Sequence, residues 1–357
     1  MLPFSYAQRA DVARYAGAPE APDAAERGGG GESVQPDESG WKLVHGDVFR
    51  PPPLAPLLAS LLGTGAQVCA LVATTAGATF LGALSSGRGG TVAGVALASW
   101  ALTSPIAGFV SGAFNARCGG HAWIGTCLLT ASLLPCFAVV VGGSLNTIAI
   151  GYGSLAALPA HAIVSLIAIW LFVSCPLTLI GTLLGRHSTS GAAPPCRVRS
   201  IPRPVPPPPW FASPLFLIVA GGALPFGAIF IELHFLFVSF WGGRIYVLWG
   251  FFLLVSACLV AVTVCVASVA TYALLNAENH RWHWPAFLSS ASVGVYIFAY
   301  AAHFFAHRTD MSGLLQTAWY FGTCAALSAA TSLAAGAAGY AGAAAFVRRV
   351  YASVKTD

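Results

Sequence analysis

The chain of 357 residues contains 57% hydrophobic and only 8% charged residues, and its mean hydropathy is +0.74. Soluble domains carry about 25% charged residues, so this composition excludes an ordinary soluble protein and predicts a polytopic membrane protein. The net charge of +5 comes from dispersed basic residues without a Lys/Arg run, which argues against nucleic acid as a partner.

Eight apolar runs follow a polar N-terminal region. Residues 1–39, rich in Ala, Gly, Pro and acids, are predicted to form a disordered cytosolic tail. Residues 40–56 form a cytosolic segment in which His45 and Asp47 are predicted to serve packing rather than catalysis. Each apolar run is long enough to cross a hydrocarbon layer of about 30 Å, so we predict an all-α bundle of about eight transmembrane helices. The predicted spans cover residues 57–84, 91–114, 123–143, 160–184, 215–240, 245–275, 285–306 and 315–347.

A basic, proline-rich cytosolic linker over residues 185–214 separates two predicted groups of four helices, 57–184 and 215–347. Its prolines, Pro204 and Pro206–Pro209, favour an extended polyproline conformation. The PxxP pattern is typical of ligands for SH3-type domains, but a stiff strap along the membrane surface is the simpler interpretation.

The distribution of Lys and Arg predicts the orientation. Fourteen of these residues fall on the side of both termini, which includes a short C-terminal tail over 348–357. The other side has three, Arg88, Arg244 and Arg308. Because basic residues accumulate on the cytosolic side of a membrane, both termini are predicted to be cytosolic.

The fifth predicted span contains a single acid, Glu232. An ionised group near the bilayer centre costs at least about 2.5–3.5 kcal/mol, so Glu232 should face protein or a water-filled cleft. Helical geometry places it on a small-residue face with Gly221 and Pro225. The carboxyl is then a proton or cation site, a polar clamp for a client helix, or a structural group that closes the bundle. The same face carries Ala228 and Ser239, and Leu224, Phe230, Ile231 and Phe237 occupy the opposite one.

Other polar groups offer weaker sites. His234 lies two residues beyond Glu232 and points to nearly the opposite face, so the pair cannot share a metal ion. The loop with Trp282, His283 and Trp284 binds a cation or lipid headgroups, or simply anchors the chain at the membrane interface. The nine cysteines form no CxxC pair, and no nucleophile, zinc or phosphate-loop motif is present. We therefore predict no catalytic residue, metal or cofactor, and no enzyme.

The last span is nearly free of large side chains between Ala334 and Ala345. Gly336, Gly339 and Gly342 recur at intervals of three residues. Small residues at such spacing let helices approach closely, either inside the bundle or across a dimer face.

Three stretches together resemble the nonaspanins, the transmembrane 9 superfamily. They are residues 40–52 (GWKLVHGDVFRPP), residues 221–233 (GGALPFG followed by FIEL) and residues 277–288 (AENHRWHW followed by FL). The resemblance runs from about residue 11 to the C-terminus. Nonaspanins typically also have a signal peptide, a large lumenal domain and one further span, so we expect this sequence to be the multispanning part of a longer protein. Cys265 stands where the family has an acid.

The resemblance implies a role in trafficking and localising membrane proteins in Golgi and endosomal membranes. Lys355-Thr356-Asp357 matches the family's C-terminal Lys-x-Asp, a coatomer-binding retrieval signal; a basic membrane anchor is the simpler alternative. Our first hypothesis is a non-enzymatic sorting factor whose small-residue faces and Glu232 hold transmembrane segments of client proteins among the membrane lipids.

The second hypothesis is an ion- or proton-coupled transporter or channel that uses Glu232. Discontinuous helices would favour it, and Pro105, Pro135, Pro176 and Pro225 are the candidate break points. A third hypothesis is that this chain is a truncated form of the family's longer protein and is inactive.

Overall fold

The computed structural model describes residues 40–83, 89–154, 157–189, 195–196, 198–199, 202–241, 248–309 and 313–352. The predicted N-terminal tail (residues 1–39), Arg88, Arg244 and the C-terminal Lys355 and Asp357 lie outside these residues. The described residues all belong to one compact unit, residues 39–357, so the two predicted groups of four helices pack together.

Ten α-helices account for most of the residues that the structure describes. Two pairs of them run on almost without a break: a π-helical turn, Trp170–Ser174, joins α4 to α5, and Ser292 alone separates α8 from α9. The helices are α1 Ala55–Ala83, α2 Gly89–Arg117, α3 Trp123–Gly151, α4 Ala160–Ile169, α5 Cys175–Thr189, α6 Pro214–Trp241, α7 Leu248–Asn276, α8 His283–Ala291, α9 Val293–Arg308 and α10 Leu314–Ala352.

These helices provide eight stretches that are long and apolar enough to cross a membrane, which confirms the predicted fold class. The third and fourth continue to Gly151 and Thr189, beyond the predicted ends at 143 and 184. Residues 144–151 contain neither proline nor charge, so nothing in them stops a helix.

The prolines do not produce the discontinuous helices that a transporter would favour. Pro105, Pro135 and Pro225 lie inside α2, α3 and α6, which remain helical on both sides of them. Only Pro176 adjoins irregular backbone, the π-helical turn that ends at Ser174. No break therefore lies near Glu232 in α6.

Close helix contacts use the predicted small residues. A Cβ atom at Gly222 in α6 would collide with Ser292, and one at Gly339 in α10 would collide with Ser290 at the end of α8. A Cβ at Gly336 would lie 2.6 Å from the ring of Phe287. The interpretation that these glycines serve packing inside the bundle is confirmed, and the same faces are therefore not free for a dimer or a client helix.

Candidate functional site

Three segments that are distant in sequence cover one end of the bundle and form what we call the cap: residues 40–54, residues 198–199 with 202–203, and residues 277–284, together with the end of α10. The Tyr351 hydroxyl of α10 donates to the backbone carbonyl of Trp41 at 2.6 Å. The backbone N–H of Arg199 donates to the carbonyl of Gly46 at 2.8 Å. The first segment therefore lies against both the second segment and the last helix.

Asp47 is the ionic centre of the cap and is only 2% exposed. Its Oδ1 accepts from Arg50 Nη2 at 2.8 Å and from Arg50 Nε at 3.2 Å, while its Oδ2 accepts from the backbone N–H of Arg203 at 3.3 Å. Arg50 Nη2 also donates to the carbonyl of Arg199 at 2.8 Å. One buried carboxylate thus joins the first segment to the proline-rich linker.

The surroundings of Asp47 favour its ionised form. Burial by itself raises the pKa of this carboxyl, but the hydrogen bonds from Arg50 and Arg203 and the charges of Arg50 and His280 outweigh it and hold the pKa below its usual value. Burial has the opposite consequence for His280, whose pKa is lowered. The charges of Arg281 and Arg50 lower it further, and that of Asp47 opposes them. His280 Nδ1 is buried without a hydrogen-bond partner in the described part of the chain.

A second ion pair fixes the loop that follows α7. Arg203 Nη2 lies 3.3 Å from Glu278 Oε2. Glu278 has φ +57°, a left-handed conformation that few residues other than glycine adopt. The N–H groups of Glu278 and Asn279 donate to Leu275 and Leu274 and close the end of the helix. The ion pair with Arg203 therefore holds a backbone turn that is unfavourable on its own.

The Trp-rich loop packs beneath residues 40–54 and against α10. Trp282 is 2% exposed, its Nε1 donates to the Val48 carbonyl at 2.9 Å, and its ring stacks on Tyr340 with centroids 5.6 Å apart. His283 Nδ1 lies 2.8 Å from the Tyr340 hydroxyl. Half-buried Trp284 donates to the Pro53 carbonyl at 2.8 Å. The sequence could not show this because residues 40–54, more than 200 positions earlier, cover the loop.

Glu232 lies on α6, well away from the cap, and is half-buried. Gly221 and Pro225 are buried, as expected for the small-residue face. Phe237, predicted on the opposite face, is also buried, and Ala228, predicted on the small-residue face, is exposed, so the prediction is wrong for these two residues. The first half of α6 packs through small residues on Ser289 and Ser292, and its second half packs through aromatic rings on α9. The buried face therefore rotates along the helix.

The polar neighbour of Glu232 is turned away from it. His234 Nδ1 lies 2.8 Å from the Tyr300 hydroxyl on α9. Glu232 itself makes no hydrogen bond or ion pair with any residue that the structure describes. Within the described ranges, no group of three His, Cys, Asp or Glu side chains is arranged to hold a metal ion.

An apolar crevice of about 690 Å³ lies between α1, α6, α7 and α10, and Ile297 of α9 completes its wall. On α6 its lining runs from Ile229 to Trp241, roughly 18 Å at about 1.5 Å per residue, or about half of a 30 Å hydrocarbon layer. This is the half farther from the cap, and the described lining residues carry no charge. Ile229 and Leu236 line the crevice and lie three residues before and four after Glu232, so Glu232 is a helical neighbour of the crevice wall without itself lining it.

The crevice was not predicted from the sequence. Its walls come from five spans that are spread along the chain, and each wall residue belongs to an ordinary apolar run. Besides those on α6, lining residues include Val68 and Val72 of α1, Phe252 and Val260 of α7, and Leu327 and Ala330 of α10.

A bundle of eight apolar spans, closed at one end by ion-paired loops and carrying a crevice within the membrane, defines a multi-pass α-helical membrane protein. The chain belongs to the Endomembrane protein 70 family, whose model matches residues 3–314. This confirms the resemblance to the transmembrane 9 superfamily, a membrane-protein family that is not known for enzymes.

The chain is similar to several members of the superfamily. It is 37% identical to transmembrane 9 superfamily member 1 of Bos taurus over 98% of this chain and 57% of that protein. It is 37% identical to member 4 of Arabidopsis thaliana over 90% of this chain and 54% of that protein. The chain thus spans about half the length of the curated relatives that it matches. No solved structure gives a significant match.

Proposed function

We propose that this chain is the membrane part of a non-enzymatic factor that assists the sorting and localisation of client transmembrane proteins in Golgi and endosomal membranes. The observation that carries the proposal is the uncharged crevice between α1, α6, α7 and α10. Phe240, Val260 and Leu327 line it and are also exposed on the outer surface, so the crevice opens toward the lipid.

A client helix would use the crevice as an apolar groove. Helices bind such grooves by inserting a row of side chains spaced three and four residues apart. A volume of about 690 Å³ is too small for a whole helix about 10 Å wide, but it suits a row of side chains over half the membrane. The small-residue faces that the sequence suggested for this role are occupied by helices of the chain itself.

Glu232 supplies the polar part of the proposal. A carboxyl group without a partner is unfavourable inside a membrane, and a hydrogen-bond donor on a client segment would relieve this cost. Glu232→Gln is expected to leave folding intact and to impair delivery of client proteins. Normal delivery of client proteins combined with an ion-flux defect in proteoliposomes would instead favour the transporter hypothesis. Neither the continuous helix α6 nor the uncharged crevice supports that hypothesis.

Site-specific photocrosslinking tests the crevice directly. We expect a benzoylphenylalanine at Leu327, at the mouth of the crevice, to form adducts with transmembrane proteins in cells. The matched control is Val139 on α3, which is 68% exposed and does not line the crevice. Equal protein adducts at both positions would contradict a specific client site.

The location of the protein in the cell is the second part of the proposal. Cytosolic termini would present Lys355 and Asp357 to coatomer, whose acidic and basic groups can pair with the side chains and the terminal carboxylate. Adding one residue after Asp357 is expected to move the protein out of the Golgi. An unchanged location under fluorescence microscopy would remove the retrieval signal from the proposal.

A further inference from the structure

The proline-rich linker contains an exposed ridge with a period of three residues. Residues 202–209 are not helical, and Pro209 has φ −62° and ψ 156°, the polyproline II conformation. From Arg203 to Trp210 the exposed residues are Pro204, Pro207 and Trp210, and Trp210 is 74% exposed. Because polyproline II has three residues per turn, these side chains lie along one edge. The half-buried residues between them are Val205, Pro206, Pro208 and Pro209.

The cap holds this segment at its first end. The backbone N–H of Arg203 donates to Asp47 and its guanidinium pairs with Glu278. At the second end Ala212 is only 2% exposed and leads directly into α6. A segment that is already ordered loses little conformational freedom on binding, which favours affinity.

The chemistry of the ridge is that of a recognition motif. A connector needs the stiffness of proline but no particular exposed face. Here the exposed face presents Pro204 and Pro207 at PxxP spacing, the pattern that aromatic-lined grooves of SH3, WW and EVH1 domains bind. Arg199 precedes the ridge, is exposed and forms no ion pair with a described residue, so a groove with an acidic rim matches its charge.

We propose that residues 203–210 are a docking site for an adaptor domain that recognises polyproline II through an aromatic groove with an acidic rim. The domain contacts the edge formed by Pro204, Pro207 and Trp210 and leaves the ion pair of Arg203 with Glu278 in place. The site lies at the end of the bundle that is predicted to face the cytosol, where such domains occur.

The test uses the full chain in detergent micelles and an array of purified SH3, WW and EVH1 domains. We expect at least one domain to bind the wild-type chain and to bind Pro204→Ala/Pro207→Ala about tenfold more weakly or less. The matched control, Pro206→Ala/Pro208→Ala, alters the half-buried faces and should stay within about twofold of the wild type. An unchanged melting temperature shows that each variant is folded.

Two results would overturn the proposal. One is that no domain of the array binds the wild-type chain. The other is that the exposed and half-buried proline pairs weaken binding equally. If the Pro204→Ala/Pro207→Ala variant is unstable, Trp210→Ala replaces it, because the Trp210 side chain is largely exposed. Full retention of binding by a folded Trp210→Ala variant would also contradict the proposed binding edge.

Discussion

The cap and the membrane half that is farther from it are built in opposite ways. In the cap, the Asp47 carboxylate accepts hydrogen bonds from Arg50 and Arg203, and the indole N–H of buried Trp282 donates to the Val48 carbonyl. In the far half, five helices leave a crevice of about 690 Å³, and Glu232, a helical neighbour of its wall, has no partner among the described residues.

The contrast separates stability from binding within one helical bundle. Stacked rings and ion pairs hold the helix ends of the cap in one arrangement, since leaving any of these buried polar groups unsatisfied is costly. A loosely packed apolar crevice has no such requirement and can exchange its contents. We therefore expect substitutions in the cap to act mainly on stability and substitutions in the crevice mainly on binding.

The largest expected effect is that of Trp282→Ala. It removes a buried ring stacked on Tyr340 and the hydrogen bond to Val48, so the free energy of unfolding should fall by about 3–5 kcal/mol. Unfolding in mixed detergent and SDS micelles measures it. Trp210→Ala, at a position 74% exposed, is the control; it loses edge contacts with Phe211 and Phe216 and should change stability by at most about 1.5 kcal/mol. Similar losses for both variants would remove the distinction between cap and surface.

Asp47→Asn should have the next largest effect. The asparagine side chain has no charge to pair with Arg50, and an N–H donor replaces one of the two carboxylate oxygens. The free energy of unfolding should therefore fall by about 1–3 kcal/mol. The same unfolding measurement applies, with Lys42→Gln as a control because Lys42 is exposed in the same segment and takes part in no ion pair with a described residue. A wild-type value for Asp47→Asn would show that the ion pair does not stabilise the cap.

Helix contacts and crevice walls should respond differently to added volume. Gly222→Ala places a methyl group against Ser292 and should cost about 1–3 kcal/mol. Ala330→Leu adds more volume but points it at the crevice, so its cost should remain below about 1 kcal/mol. If both substitutions are equally destabilising, the crevice is closed in the native protein. A reduction of client crosslinking at Leu327 by Ala330→Leu would further sharpen the comparison.

The smallest expected effect is a pH dependence confined to the cap. Because burial lowers the pKa of His280, the unfolded chain takes up this proton first, and stability should decline as pH falls below about 6.5. The lowered pKa of Asp47 gives stability that is present above about pH 4 and is lost as pH falls through the folded-state pKa. His280→Asn should reduce the first decline and Asp47→Asn the second in unfolding curves recorded between pH 7 and 3. Both declines persisting in both variants would place the titrating groups elsewhere.

The sequence by itself determined the eight helical spans and the use of glycines for close contacts. Both follow from local chemistry: a backbone in lipid must satisfy its own hydrogen bonds, and helices approach closely only where side chains are small. The residues that the family resemblance singled out, including Asp47, Glu232 and Trp282, could also be found in this way.

Only the tertiary structure decided what those residues contact. The bond from Arg203 to Asp47 connects positions 156 residues apart, and the bond from Trp282 to Val48 connects positions 234 apart. Hydropathy along the chain cannot distinguish a Trp beneath a folded loop from one at a membrane interface, because both follow an apolar span. The crevice likewise exists only where five separate helices fail to fill the space between them, a property of their packing and not of any one segment of sequence.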